Sequence, residues 1–145
     1  MAPASPVMRF PYRTAPGPDG AVLYYPFIPV RIGAARGSAT RYFEALVDSG
    51  AADCMFQASL ASALGLELMS GIPSARTGIG GRNEVWVHPI SLFVGEHVLH
   101  VNAAFSETLP VAGLLGRSGF FEHFSITFDP ASDPPGLELE GVHKA

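Results

Sequence analysis

Residues 43–54 read Phe43-Glu44-Ala45-Leu46-Val47-Asp48-Ser49-Gly50-Ala51-Ala52-Asp53-Cys54 and place an acid directly after an apolar run. The apolar residues predict a buried strand that ends at Asp48, and Gly50 with the alanines around it turns the backbone there. A carboxylate is costly to bury, so an acid in this position indicates chemistry. The alternative is that Asp48 only caps a turn at the strand end.

Composition points to one β-rich domain. The chain has 145 residues, of which 48% are hydrophobic and 15% charged, with 16 Gly and 13 Pro. This suits a turn-rich β protein more than a helical bundle. The net charge of −4 without a basic cluster argues against nucleic acid and membrane surfaces as partners.

The expected location is the cytoplasm. No stretch approaches the ~20 apolar residues of a membrane-spanning helix, and prolines interrupt the N-terminus where a signal peptide needs an apolar core. The single cysteine, Cys54, cannot form an internal disulfide, which agrees with a reducing compartment.

The chain divides into three predicted parts. Residues 1–20 contain five prolines and are expected to form an extended, flexible arm. Residues 21–141 form the domain, and residues 142–145 are a tail. The first strand is expected at an edge, since it contains Pro26 and Pro29. Strands are predicted at 24–33, 41–48, 54–56, 72–79, 84–93, 97–105, 124–128 and 137–140, and a further one ends at 114–117.

Helices are predicted to be short and few. Leu60 and Leu64 lie one helical turn apart in residues 58–64, and Gly65 supplies a stop. Residues 118–123 are compatible with a second short helix.

Two glycine-containing segments are further candidates. Thr77-Gly78-Ile79-Gly80-Gly81 connects two predicted strands and favours a hairpin turn. A phosphate loop is disfavoured because no Gly-x-Gly-x-x-Gly is present and a strand follows instead of a helix. Residues 111–117 are Val-Ala-Gly-Leu-Leu-Gly-Arg, and Leu114-Leu115-Gly116 taken alone favours a place in the core.

In this order, the three segments resemble the signatures of retropepsin-like (retroviral-type) aspartic proteases. The helix after the first segment is similar to that of stand-alone cellular and bacterial members. The resemblance implies a catalytic Asp48 with three groups of supporting residues: Ser49, Gly50 and Ala51 in the active-site loop; Gly78, Ile79, Gly80 and Gly81 in the flap that binds substrate; Leu114, Leu115, Gly116 and Arg117 in the second signature.

The resemblance also implies an architecture and a mechanism. The fold would be all-β, a single-lobe acid-protease barrel with a hairpin flap and one or two short helices, active as a two-fold dimer. Asp48 of each copy would share a proton and activate water against an extended peptide, with no cofactor and no metal ion. The Ser49 hydroxyl would hydrogen-bond across the dimer, and Gly50 would let substrate approach the backbone closely.

Other functions remain open on the sequence. A non-catalytic dimerisation or peptide-binding module could use the same fold, although the intact Asp48-Ser49-Gly50 argues against it. A thiol hydrolase based on Cys54 is disfavoured because no activating motif surrounds this residue. Viral members commonly carry an acid where this chain has Ala52, so a pair between Asp53 and Arg117 is left undecided.

Overall fold

The computed structural model describes residues 6–78 and 80–142. In these residues it contains one α-helix, α1 (Ala58–Ala63), and short 3-10 turns at Pro18–Gly20, Leu68–Ser70 and Phe121–His123. The strands are β1 (Met8–Pro11), β2 (Arg13–Pro16), β3 (Val22–Tyr25), β4 (Phe27–Gly33), β5 (Phe43–Val47), β6 (Met55–Gln57), β7 (Ile72–Gly78), β8 (Gly81–Val94), β9 (His97–Ser106), β10 (Gly113–Leu115), β11 (Phe124–Asp129) and β12 (Gly136–Gly141).

The largest sheet closes into a barrel. Its strand order is β4-β5-β10-β6-β9-β8-β7, and β4 also pairs with β8. Closure satisfies backbone groups that an open sheet would leave at its edges. The prediction of an all-β, single-lobe barrel with few helices is confirmed.

The prediction of an edge position for the first strand is wrong. β4 pairs with β5 over Phe27–Val30 and with β8 over Arg31–Gly33. Pro26 and Pro29 precede the part of β4 that pairs with β8. Proline has no backbone N–H, and at these two positions no hydrogen bond to β8 is required.

One hydrophobic core fills the barrel. Alternate residues of β4 and β8 point inward with period two, and the side chains of Ile28, Val30, Ile32, Leu92 and Val94 are completely buried. Three phenylalanines are completely buried in this core, which also includes residues of β11 and β12. These phenylalanines are Phe56, Phe105 and Phe120.

Helix α1 packs on the core through Ala61 and Leu64. Gly65 has φ +72 and ends the helix in the left-handed conformation that glycine tolerates best. The predicted helix at 58–64 is therefore confirmed, whereas residues 118–123 contain only the 3-10 turn at Phe121–His123.

The expectation of a flexible arm does not hold for the described part of residues 1–20. β1 pairs with β12, from Met8 opposite Leu139 to Pro11 opposite Gly136, in a second sheet of order β1-β12-β11. Met8 and Phe10 pack against the core. The alternation of Met8 and Phe10 is difficult to recognise in the sequence because prolines flank it. Residues 1–5 and 143–145 lie outside the described part.

Candidate active site

Asp48 follows β5 directly and begins a tight turn. Its backbone N–H donates to the carbonyl of Leu115 over 3.0 Å, and the Gly50 N–H donates to the Asp48 carboxylate Oδ1 over 2.9 Å. The Ala51 N–H closes the turn on the Asp48 carbonyl at 3.1 Å. The side chain of Asp48 is half-buried, while Ser49 and Gly50 are exposed. The acid is thus fixed in place but accessible from one side.

The second signature lies beside the strand that carries Asp48. β10 is inserted between β5 and β6 and runs parallel to β5, with Leu114 opposite Leu46 and Leu115 opposite Val47. Leu115 is completely buried. This neighbour supplies the carbonyl that receives the Asp48 N–H, so two segments far apart in sequence form one site.

Residues 116–118 clamp the loop that follows Asp48. The backbone N–H groups of Arg117 and Ser118 donate to the carbonyls of Ala51 and Ala52, each over 2.9 Å. Gly116 is buried so closely that a Cβ there would overlap the Asp53 carbonyl and lie 2.8 Å from the Ala51 carbonyl oxygen. Only a residue without a side chain lets the two segments approach this far.

Arg117 and Asp53 do not pair with each other. The Arg117 guanidinium donates from Nη1 to the Ser49 carbonyl over 2.9 Å. Asp53 instead binds Arg76 of β7, with 2.7 Å between Arg76 Nη2 and Asp53 Oδ2 and 3.1 Å between Arg76 Nε and Asp53 Oδ1. The open question of an Asp53–Arg117 pair is thereby answered in the negative, because β7 brings another arginine within reach.

The Asp53–Arg76 pair connects the loop that follows Asp48 to the hairpin of β7 and β8. The two side chains are 19% and 26% exposed, so the pair is partly shielded from solvent. The hydrogen bond to Asp53 raises the pKa of Arg76. Sequence reasoning did not identify Arg76; the only signal was a charged residue within a predicted flap strand.

The flap is formed by β7 and β8, which pair from Ile72 opposite Val87 to Gly78 opposite Gly81. Gly81 has φ +102, a conformation that favours glycine. Gly78 and Gly80 are exposed, and a Cβ at either would meet no atom within 4 Å. Ile79 lies outside the described residues. A second contact fixes the hairpin, since the Thr108 hydroxyl donates to Asn83 Oδ1 over 3.1 Å.

Cys54 is buried beside this site and points into the core. Burial raises the pKa of its thiol to about 12, and its Sγ lies 3.7 Å from the Ser118 carbonyl. A thiol with this pKa is protonated at neutral pH and is a poor nucleophile. The buried position and the raised thiol pKa of Cys54 therefore argue against the thiol hydrolase alternative.

Among residues 6–78 and 80–142, no group of three His, Cys, Asp or Glu side chains is arranged to hold a metal ion. No helix in this part of the chain has the length and apolar character needed to cross a membrane.

Three features define a retropepsin-like protein. They are a closed barrel, an acid at a strand end that is held by a glycine-containing parallel strand, and a hairpin with glycines at its tip. The family model described as aspartyl protease matches residues 28–118, a range that includes Asp48, the flap and Arg117. The chain belongs to the aspartyl protease family.

Solved structures share this fold. A structure titled as a retropepsin-like aspartic protease from Rickettsia conorii is 20% identical, with a TM-score of 0.63 and 97% of each chain covered. EIAV protease complexed with the inhibitor HBY-793 is also 20% identical, with a TM-score of 0.51, covering 64% of this chain and 82% of that one. No curated protein sequence matches the chain.

Proposed function

We propose that this protein is an aspartic endopeptidase whose active site forms between two copies of the chain. The observation that carries the proposal is Asp48, an accessible acid at a strand end, held by the Leu115 carbonyl and the Gly50 N–H. One chain supplies one such acid. Two carboxyl groups are needed to hydrolyse a peptide without a metal or a covalent intermediate, so Asp48 of a second copy completes the site.

The two carboxyl groups act as base and acid with one shared proton. The ionised Asp48 takes a proton from water as the water oxygen attacks the scissile carbonyl carbon. The protonated Asp48 of the second copy gives its proton to the carbonyl oxygen. The C–N bond of the resulting gem-diol then breaks as the amide nitrogen takes up the proton that came from water. One hydroxyl of the gem-diol returns its proton to the second Asp48 as the new carboxyl group forms, so the pair again shares one proton.

The loop and the flap position the substrate. An extended peptide lies between the Asp48 turn and the flap, where it pairs with backbone groups as an added strand. The exposed Ser49 hydroxyl bonds across the dimer, Gly50 and Ala51 leave room for the peptide, and the flap glycines let backbone approach it closely. Residues 21–141 form the catalytic unit, and β1 completes its second sheet.

Activity should depend on dimer formation. Below the dissociation constant of the dimer, its concentration rises with the square of chain concentration, so tenfold dilution should lower the cleavage rate by about 100-fold. Cleavage of a peptide library, followed by mass spectrometry over a range of chain concentrations, measures this. Parallel light scattering gives the mass.

Two results would contradict the proposal. A rate strictly proportional to chain concentration in a monomeric sample would exclude a site shared between copies. A dimer that binds extended peptides but cleaves none would instead favour the non-catalytic module.

The Asp53–Arg76 pair is expected to set the position of the flap. In Asp53→Asn, Arg76 loses its charged partner, so the flap hairpin is less firmly tied to the catalytic loop. A loss of about 1 kcal/mol of coupling corresponds to about a fivefold decrease in kcat/KM, expressed mainly as a higher KM. Steady-state kinetics on one peptide substrate measure this change.

A matched control is Glu138→Gln, which removes the ion pair with Arg9 on the second sheet, where Arg9 Nη1 and Glu138 Oε1 are 3.3 Å apart. It should leave KM unchanged. Equal KM values for wild type and Asp53→Asn would show that the pair does not position the flap.

A further inference from the structure

The hairpin of β2 and β3, residues 13–25, has an unusually apolar surface. All four residues of β3 are large hydrophobics and all are exposed: Val22 56%, Leu23 38%, Tyr24 51% and Tyr25 37%. A two-stranded hairpin is marginally stable on its own, and contiguous exposed apolar surface marks an interaction site. The exposed apolar surface of the hairpin therefore indicates that it binds a partner.

The two faces of this hairpin differ. On one face, Arg13 binds Glu44 of β5 over 2.6 Å, and the Tyr25 ring lies 6.1 Å from that of Phe27. This face is attached to the barrel. The other face combines two cross-strand pairs without a charge, Thr14 with Tyr24 and Pro16 with Val22. We call these four residues the open face.

The hairpin joins the barrel beside the end of β5, the strand that precedes Asp48. The Val47 N–H donates to the Pro26 carbonyl over 2.9 Å, which extends the β4–β5 pairing to its last step before Asp48. Pro26 directly follows β3, so the base of the hairpin lies beside Val47, one residue before Asp48. The hairpin is thus joined to the barrel next to the Asp48 turn, which under the proposed function faces a second copy of the chain.

We infer that the open face of the β2–β3 hairpin packs against a second copy of this chain and contributes to the dimer that completes the active site. The inference rests on the proposed function for its requirement of two copies. An uncharged face can meet its own copy across a two-fold axis without like-charge repulsion, although the chain carries a net charge of −4. Tyrosine is also enriched in the cores of interfaces, where charge is depleted.

The size of a typical dimer interface indicates that residues outside the hairpin also contribute to this one. A stable dimer buries about 800 Å² on each copy, more than one face of a thirteen-residue hairpin provides. The exposed turn at Ser49 and Gly50 follows Val47, whose N–H bonds to Pro26 at the base of the hairpin, and we assign it a second contact region. We therefore assign the hairpin a large part of the interface, not all of it.

The test replaces open-face residues by charge. Val22→Lys combined with Tyr24→Lys should raise the dimer dissociation constant about tenfold or more, since two lysines from each copy would meet at a desolvated apolar contact. Tyr24→Phe should retain the dimer. Val98→Lys is the matched control, because Val98 is also a strand residue, is 51% exposed like Tyr24, and lies at the far end of β9. Sedimentation velocity over a concentration series measures all four proteins.

The outcomes separate this inference from the proposed function. Wild type and the double lysine variant dimerising equally well would overturn the role of the hairpin and leave the shared active site intact. A wild type that cleaves peptides as a monomer would overturn both. A loss of dimer in Val98→Lys as large as in the double variant would show a general charge effect and count against the hairpin.

A measurement on the wild type covers the case in which the double variant fails to fold. Hydrogen exchange of residues 13–25 should slow when the concentration is raised from below to above the dissociation constant. Unchanged exchange there, with slowing elsewhere, would refute the inference.

Discussion

Asp48→Asn is expected to lower kcat by about 10³-fold or more while the fold and the dimer persist. An amide cannot take a proton from water or share one with a second carboxyl, so both general-base and general-acid steps are lost. The turn itself should survive, because the amide oxygen of an asparagine can accept the Gly50 N–H that Asp48 Oδ1 now accepts at 2.9 Å. Peptide cleavage, circular dichroism and light scattering together test the three parts of this expectation.

Two control variants make the test specific. Asp129→Asn removes another aspartate, one that lies in the second sheet near Arg9, and should leave kcat unchanged. Cys54→Ala should retain activity, since the buried thiol, with its pKa of about 12, is not a nucleophile in this site. Cleavage that continues in Asp48→Asn would refute the proposed mechanism; loss of cleavage in Cys54→Ala alone, with the fold intact, would return attention to the thiol.

Mixed dimers extend the argument to the second copy. Adding excess Asp48→Asn chain to a fixed amount of wild type should suppress activity, because most wild-type chains would then lie in dimers with only one carboxyl. Full activity in such mixtures would mean that one Asp48 suffices.

Gly116→Ala is expected to lower the free energy of unfolding by about 3 kcal/mol or more. The added methyl group would overlap the Asp53 carbonyl and lie 2.8 Å from that of Ala51, and both obstacles are backbone atoms. Relief requires moving β10 away from the Asp48 loop, which would break the hydrogen bonds that Arg117 and Ser118 donate to it. Thermal unfolding should shift down by about 10 °C for a domain of this size.

Gly78→Ala is the matched control for this change. Gly78 is exposed in the flap, its φ is not positive, and a Cβ there meets no atom within 4 Å. Its melting temperature should stay near that of wild type. An equally small shift in Gly116→Ala would mean that the loop and β10 separate easily and that their close approach does not stabilise the site.

Local patterns in the sequence anticipate much of the fold. Alternation of apolar residues predicts β8 and β9, and the glycines after residue 77 predict the turn between β7 and β8. The helix at Ala58–Ala63 follows from leucines one turn apart and from Gly65. These features depend on neighbours within a few residues, so sequence alone specifies them.

The same kind of reasoning failed where a local signal was ambiguous. Five prolines in residues 1–20 suggested an extended arm, yet Met8 and Phe10 bury against the core and β1 pairs with β12. Pro26 and Pro29 suggested an edge strand, but barrel closure gives β4 a second neighbour after the prolines have passed. In both places, packing against distant residues outweighed a local preference.

By itself, the sequence determined that an acid, Asp48, ends an apolar strand, that a glycine hairpin follows, and that a Leu-Leu-Gly-Arg segment comes later. Only the tertiary structure decided which groups meet: β10 lies beside β5, Arg117 binds the Ser49 carbonyl, and Asp53 binds Arg76. The physical reason is that these contacts join residues 23 to 68 positions apart. Closure of the barrel brings such residues together, and no periodicity within either segment encodes the choice of partner.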